Sequence, residues 1–183
     1  MKKQTNEEQK NKRLKWLILL LLLITLFAFG MMVWAVFFRQ PEPPNLTPDY
    51  APVEEEEHAE AIPDDSGDKL ESPQGGGSVS ISYSTSVSIN LKEEAVSLYF
   101  ANPSQSNQDM VVQVVIQDTI LVQSGTLKPG NQVTTLNLLE GAAEKLSAGG
   151  YEGKLVILFY DETTGEKAVV NTEIPVTINV TEE

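Results

Sequence analysis

Two groups of acidic side chains are the first candidates for chemistry in this sequence. Asp161, Glu162 and Glu166 lie in one turn-rich stretch, and carboxylate oxygens are the ligands that Ca²⁺ prefers. Glu54–Glu57 are followed directly by His58, a combination that contains metal-ligating side chains. The first group matches no EF-hand loop, and four adjacent acids on a flexible chain make no preformed site. We therefore expect no bound metal or cofactor, and expect the Glu run to be a solvated spacer.

Catalytic arrangements are equally sparse. Residues 78–183 contain no His and no Cys, which excludes Ser-His-Asp and Cys-His nucleophile systems there and most zinc sites. Glycosidase-type catalysis would need two carboxylates fixed across a cleft. The carboxylates available for such a pair are Glu140, Glu144, Asp161 and Glu173. Because no pattern in the sequence predicts a cleft, we expect no catalytic residues and no enzymatic activity.

Nucleic acid is excluded as a partner by charge. Residues 78–183 carry five Lys, no Arg and 13 acidic residues, a net charge of −8. A surface of that sign repels phosphates.

An apolar run, Trp16–Phe38, would anchor the rest of the chain to a membrane. It contains 23 residues without a charge, about 34 Å as a helix, enough to cross a hydrocarbon core of about 30 Å. Trp16 and Trp34 lie near its two ends, where indoles favour membrane interfaces. The run therefore predicts a transmembrane helix over 16–38, with the lipid bilayer as its partner.

Basic residues set the predicted direction of this helix. Residues 1–15 carry six Lys or Arg side chains, whereas Arg39 is the one such residue before a long acidic stretch. The positive-inside rule places residues 1–15 in the cytoplasm and the rest of the chain outside. A cleaved signal peptide is the alternative, but its apolar region would be shorter and would end in small residues. We expect an uncleaved, single-pass signal-anchor in the cell membrane.

Residues 39–77 change character sharply. They contain seven prolines, many acids and the run Gly75–Gly77, with few residues that could form a core. Low hydrophobicity and high net charge predict a disordered, acidic stalk over 39–77.

Residues 78–183 form a predicted all-β extracytoplasmic domain. Apolar residues alternate with Ser from 79 to 91, the pattern of a strand with one buried face. Seven strands are predicted in all, over 79–91, 95–101, 110–117, 119–123, 133–138, 151–161 and 167–180. Residues 139–148 break the pattern and predict a helical turn. Seven short strands without a long helix indicate an immunoglobulin-like β-sandwich without disulfides.

Three local signals refine this fold. Tyr151 begins the sixth strand, where sandwiches carry a tyrosine corner whose hydroxyl bonds to an upstream backbone group. Lys128–Asn131 has Pro and Gly where a type II turn needs them. Pro175 splits the last strand and predicts a sheet edge or a bulge. The serine-rich first strand could also accept a partner strand at its edge.

The turns and core positions resemble those of a group of uncharacterised membrane-anchored β-sandwich proteins (immunoglobulin or fibronectin III-like) of Gram-positive bacteria. The resemblance covers roughly 95–180 and rests on Asn102-Pro103, Asp118, Ser124–Gly130, Gly150-Tyr151, Tyr160-Asp161 and Asn171. Thr119 departs from the pattern, because a Gly after Asp118 would make a tight hairpin. The resemblance implies an extracytoplasmic domain with no known chemistry and gives no site residues.

These features together predict a membrane-tethered, non-enzymatic binding or scaffolding module of an envelope assembly. Its partner would be another protein of the cell envelope. The alternative is a surface adhesin that binds a host or cell-wall ligand.

Overall fold

The computed structural model describes residues 2–37, 47–73 and 76–182, in two compact units. Met1–Pro44 is one unit and Asn45–Glu183 is the other. The first contains a helix and the second contains the β domain, so the predicted change of architecture along the chain is present.

Helix α1 runs from Lys2 to Phe37. Within it, Arg13–Met32 has a mean hydropathy of 2.4 and is long and apolar enough to cross a membrane. Apolar side chains occur on every side of this span and none is buried in the protein, unlike the one-sided stripe of a surface helix. The Thr25 hydroxyl donates to the Leu22 carbonyl oxygen at 2.9 Å, which satisfies the hydroxyl within the helix. The basic residues of the predicted tail are helical from Lys2, and residue 38 lies outside the described residues.

The described residues of the β unit form nine strands and a short 3₁₀ helix. The strands are β1 Glu60–Ala61, β2 Ser82–Tyr83, β3 Ser86–Asn90, β4 Ala95–Asn102, β5 Gln108–Ile116, β6 Thr119–Gln123, β7 Asn131–Asn137, β8 Gly149–Asp161 and β9 Thr172–Thr181. The 3₁₀ helix is Ala143–Lys145, within the predicted helical turn. The predicted strand over 79–91 is divided into β2 and β3, the other six predicted strands correspond to β4–β9, and β1 is additional.

All nine strands belong to one curled sheet. Its order is β1-β7-β4-β3-β9-β8-β5-β6, with β2 also paired to β4. Neighbouring strands are antiparallel except β3 and β9, which are parallel. Side chains from both halves of the sheet form one core, including Phe100 of β4, Met110 of β5, Leu136 of β7 and Ile178 of β9, each at most 1% exposed. The two halves therefore face each other, as the layers of a sandwich do.

The serine-rich first strand is shorter than predicted. It is interrupted between β2 and β3, where the Ser84 hydroxyl accepts from the Ser86 N–H at 3.1 Å. A side chain that bonds to the local backbone competes with the sheet ladder, which explains the break. β3 pairs with β4 on one side and β9 on the other. The predicted edge for a partner strand is therefore absent at β3.

The last predicted strand also begins later, at Thr172. Residues 167–171 form an irregular connection with one bridge, between Tyr160 and Lys167. Pro175 pairs with Lys154 of β8, whereas β9 pairs with β3 only from Thr177 onward. Pro175 thus lies on a sheet edge, as predicted. Proline has no N–H to donate, and at this edge no neighbouring strand needs one.

The predicted tyrosine corner is present. The Tyr151 hydroxyl donates to the Ser147 carbonyl oxygen at 2.9 Å and accepts from the Ser147 N–H at 3.3 Å. These bonds fasten the 3₁₀ connection to the start of β8.

Two turns bear on the sequence prediction. Gly130 has φ +88° and the Asn131 N–H donates to the Lys128 carbonyl oxygen at 3.2 Å, consistent with the predicted turn. Gln117 and Asp118 have φ +47° and +64° and join β5 to β6 as a two-residue hairpin loop. The turn is therefore tight although Thr119, and not Gly, follows Asp118. Positive φ at both loop residues matches the right-handed twist of the strands.

The predicted disordered stalk needs correction over 47–73. This part of the chain packs on the β unit, and its residues Glu60–Ala61 form β1 beside β7. Composition indicated disorder because the segment cannot form a core. It is ordered instead by backbone and carboxylate hydrogen bonds to loops and edges of the sheet. The ordered unit thus begins well before residue 78, and residues 39–46 and 74–75 lie outside the described residues.

Candidate functional site

The most extensive feature on the surface of the β unit is the segment 47–62, here called the strap. It makes three short pairings in succession along the sheet. Tyr50 bridges to Glu166, Glu55 bridges in parallel to Thr126, and Glu60 pairs with Gln132 of β7. The pairing with β7 covers an edge of the sheet that would otherwise be free, whereas the other two bridges join the strap to connections between strands.

The acidic run fastens the middle of the strap, and three of its four carboxylates have separate partners. Glu55 pairs with Lys128, and Glu57 accepts from the Asn137 amide at 2.8 Å. Glu56, whose side chain is 7% exposed, accepts from the Gly125 N–H at 2.7 Å and from the His58 N–H at 3.0 Å. Glu54, Glu55 and Glu57 are exposed to solvent, as expected, but the run is not a spacer, because Glu55–Glu57 anchor the strap.

Gly125, in the connection between β6 and β7, lies in close contact with the backbone of the strap. A Cβ atom placed on it would lie 2.8 Å from the Glu56 nitrogen and 2.9 Å from both the Glu55 carbonyl carbon and the Glu56 Cα. These are backbone atoms, which cannot swing aside as a side chain can. Only glycine lets the strap backbone lie this close to the connection between β6 and β7.

The first turn of the strap lies against an apolar cluster on the outer face of β5 and β8. The cluster consists of Val111, Val115, Val156, Leu158 and Tyr160, each at most 9% exposed. Ala51 of the strap and Ile120 of β6 pack against it. A second apolar face on a sheet whose first face forms the core must be covered to be stable in water.

Tyr160 joins this cluster to the strap. Its hydroxyl donates to the Pro48 carbonyl oxygen at 3.2 Å. Burial, and secondarily the charge of Asp49, raises the pKa of Tyr160 above its ordinary value. The neutral phenol is therefore the form that the site retains, and it keeps its proton for this bond.

Asp109 borders the cluster, opposite Tyr160 in the β5–β8 ladder. It is 7% exposed, and among the described residues its Oδ1 has no hydrogen-bond partner. Burial and the charge of Glu162 raise the pKa of Asp109, while Lys128 opposes them. An incompletely satisfied buried carboxyl costs stability when it is ionised.

The acidic hairpin, the first metal candidate, divides its carboxylates among separate structural contacts. Asp161 accepts from the Thr163 and Thr164 N–H groups at 2.9 and 2.7 Å, which lowers its pKa. Glu162 pairs with Lys69 at 3.3 Å, and the backbone of Glu166 bridges to Tyr50. Within the described ranges, no group of three or more His, Cys, Asp or Glu side chains could hold a metal ion.

The carboxylates considered for catalysis are spread along the sheet. Asp161 ends β8, whereas Glu140 and Glu144 lie in the connection that precedes this strand. Glu173 pairs with Val156, five residues and about 17 Å along the strand from Asp161. Glu173 forms an ion pair with Lys154 at 3.0 Å. Asp161 therefore pairs with none of the other three across a cleft.

The strap is the part of the site that sequence reasoning missed. Its contacts join residues far apart in sequence, for example 69 positions for Glu56 with Gly125. Pro48 and Tyr160 are 112 positions apart. One sequence feature could have indicated the contact with the acidic run. Lys128 is one of few basic side chains in residues 78–183, and it lies close to Gly125 and Gly130 in the sequence.

Comparisons with known proteins give a limited result. No protein-family model and no curated protein matches this chain. Among solved structures, the chain is similar to AggA, the major subunit of aggregative adherence fimbriae type I from Escherichia coli. The sequences are 9% identical, the match covers 61% of this chain and 100% of that chain, and the TM-score is 0.32. A similarity of this size carries no argument about function.

Proposed function

We propose that this chain is a membrane-tethered, non-enzymatic binding or scaffolding module that works in the cell envelope. Helix α1 is the anchor, the basic N-terminus is cytoplasmic, and the β unit lies outside the cell. The apolar span Arg13–Met32 and the basic residues before it support this topology.

The observation that carries the proposal is the order of the strap. With residues 47–73 folded on the domain, only nine residues separate Phe37, the last helical residue, from Thr47. A chain of nine residues reaches at most about 32 Å, against about 120 Å for the extended 39-residue stalk. So short a tether favours a module that works close to the membrane over one that reaches through a thick wall.

The use of the acidic side chains supports a non-enzymatic role. Many of the carboxylates bind backbone N–H groups or lysines, as Glu56, Asp161 and Glu173 illustrate. Such contacts hold loops and edges in place. Val169 and Val170, in the connection between β8 and β9, are exposed by 102% and 69% and are the candidate contacts for a protein partner.

We infer further that the β unit is an immunoglobulin-like sandwich. In order along the chain, β3, β4, β5, β6, β7, β8 and β9 take the places of strands A, B, C, C′, E, F and G. Strand D, which would lie beside E, is absent from this order, and β1 of the strap occupies that place beside β7. Kinship with the Gram-positive group remains part of this proposal.

The test is recovery of a partner by cross-linking on intact cells. The full-length tagged chain is compared with a matched control in which residues 1–46 are kept and residues 47–183 are replaced by an unrelated folded domain. We expect envelope proteins that cross-link to the full chain and not to the control. Identical sets of proteins from the two would contradict the proposal.

A surface adhesin remains the alternative, and the exposed Val169 and Val170 suit it equally. Antibody access to intact, walled cells separates the two functions. Strong labelling, together with retention of the chain on host or wall material, favours the adhesin. Labelling that appears only after the wall is removed favours the scaffolding module.

A further inference from the structure

The most exposed apolar side chains of the β unit lie in two segments that pair with each other. Tyr50 and Val53 of the strap are exposed by 60% and 100%, and Val169 and Val170 by 102% and 69%. Among the described residues of the β unit, no other large apolar side chain is more than 42% exposed. The bridge from Tyr50 to Glu166 places the strap beside the connection that leads to the two valines. These four exposed side chains are here called the apolar patch.

Backbone hydrogen bonds hold the two segments of the patch together. The Ala51 N–H donates to the Gly165 carbonyl oxygen at 2.8 Å, and the Lys167 N–H donates to the Asp49 carbonyl oxygen at 2.9 Å. Val169 follows Lys167 by two residues, which is about 7 Å of extended chain. The patch therefore combines side chains from the strap and from the connection between β8 and β9, and it depends on the order of the strap.

The two segments are also acidic. Residues 47–54 and 161–170 contain five Asp or Glu and one Lys, a net charge of −4. Lys69 lies outside these segments and forms an ion pair with Glu162 at 3.3 Å, which offsets one charge and leaves −3. The exposed apolar side chains therefore lie within an acidic border.

This border decides between the two surfaces that could cover the patch. A bilayer is one of them, because Thr47 is the first described residue of the strap and follows the short tether. Asp49 precedes Tyr50 in the chain, Glu166 is the bridging partner of Tyr50, and both acids are exposed. Insertion of Tyr50 among lipid headgroups would bring these carboxylates against phosphates, and like charges oppose that contact. A protein surface has no such conflict, because it can place Lys or Arg opposite the acids.

We propose that the apolar patch docks a second envelope protein, whose surface presents an apolar depression bordered by Lys or Arg. Val169 and Val170 enter the depression, and Asp49 and Glu166 face its basic border. An apolar centre within a polar rim is the common anatomy of a protein interface, and complementary rim charges steer the encounter. This inference rests on the proposed function and adds the chemistry of the partner to it.

Photo-cross-linking from the patch tests the apolar part of this contact. The full-length chain, with p-benzoylphenylalanine in place of Val53, is irradiated in right-side-out membrane vesicles from cells that express it. Adding Val169→Ser should lower the yield of the protein adduct about fivefold, because the buried apolar area is lost. Val79→Ser is the matched control at another exposed valine, and it should leave the yield unchanged.

A charge reversal tests the basic border. Glu166→Lys should lower the adduct yield about threefold or more, because it sets like charges against each other. Glu140→Lys makes the same change at an exposed residue before β8 and should have no effect. Raising the salt concentration should lower the yield for the natural border, because counterions screen the pairing, and should lower it less for Glu166→Lys.

A protein adduct supports the proposal only when both Val169→Ser and Glu166→Lys lower its yield. An adduct with lipid would overturn the proposal and identify the bilayer as the surface that covers the patch. A protein adduct that Glu166→Lys leaves unchanged would also overturn it, because the partner would then have no basic border. Envelope partners recovered by general cross-linking, without any adduct from position 53, would remove this docking surface and leave the proposed function standing.

Discussion

Replacing Gly125 by alanine should release the strap while the sandwich stays folded. The new Cβ would lie 2.8–2.9 Å from three backbone atoms of Glu55 and Glu56, closer than real Cβ contacts allow. Gly125 has no left-handed φ, so alanine brings no backbone strain of its own. The strap must therefore move away from the connection between β6 and β7.

The cost follows from the hydrogen bonds that the movement breaks. The bond from the Gly125 N–H to the Glu56 carboxylate has a charged acceptor and contributes about 1.5–3 kcal/mol. The Glu56–Thr126 and Thr126–Glu54 backbone bonds, at 3.0 Å each, are lost in part and contribute about 0.5–1.5 kcal/mol apiece. The net loss of strap binding is then about 2–4 kcal/mol, or an opening constant about 30- to 1,000-fold larger.

Amide hydrogen exchange of the full-length chain in detergent measures this opening directly. Protection of the strap amides that donate within the site, such as those of Ala51 and Glu56, should fall by that factor. Amides of β8 should keep their protection. Gly150→Ala is the matched control, because nothing lies within 4 Å of a Cβ at that position. Equal strap protection in the two variants would refute the close approach at Gly125.

Three further predictions concern the β unit. Leu158→Ala should lower the free energy of unfolding by about 2–5 kcal/mol in urea titration, because the side chain is fully buried on the outer face; Val170→Ala, at an exposed site, should change it little. Tyr151→Phe should cost about 0.5–1.5 kcal/mol through the bond to Ser147, with the exposed Tyr83→Phe as control, and equal midpoints would contradict the tyrosine corner. The pKa of Asp109 is raised in the folded state, so its ionisation destabilises the fold once the pH exceeds the ordinary value of 3.8. Asp109→Asn should therefore raise the urea midpoint at neutral pH and lose this advantage below about pH 3.8, and a neutral-pH midpoint below that of the natural chain would contradict it.

The strands of the β unit could be predicted because their signal is local. Alternation of apolar and polar residues marks the buried face of each strand, and β4 and β6 begin at the predicted residues. The tyrosine corner and the edge position of Pro175 follow from similarly short patterns. The alternation of apolar and polar residues also continues through Ser84, where no strand forms because the Ser84 hydroxyl bonds to the nearby backbone.

The strap could not be predicted from composition. Proline and acidic residues indicate disorder because they cannot build a core, yet this segment needs none of its own. It is ordered by backbone pairing, which any sequence can supply, and by carboxylates that find Gly125, Lys128 and Asn137 far along the chain. The run Glu54–Glu57 was considered as a metal site from the sequence, but in the structure its carboxylates hold the strap on the β unit.

Limited proteolysis of sealed, right-side-out cells or vesicles tests the central claim most directly, because topology and strap order are read from one fragment. We predict that added protease releases a single stable fragment whose mass shows that it retains both residues 49–62 and the β unit. Complete protection until the membrane is opened would contradict the outward topology. A stable fragment that begins after residue 62 would contradict the ordered strap.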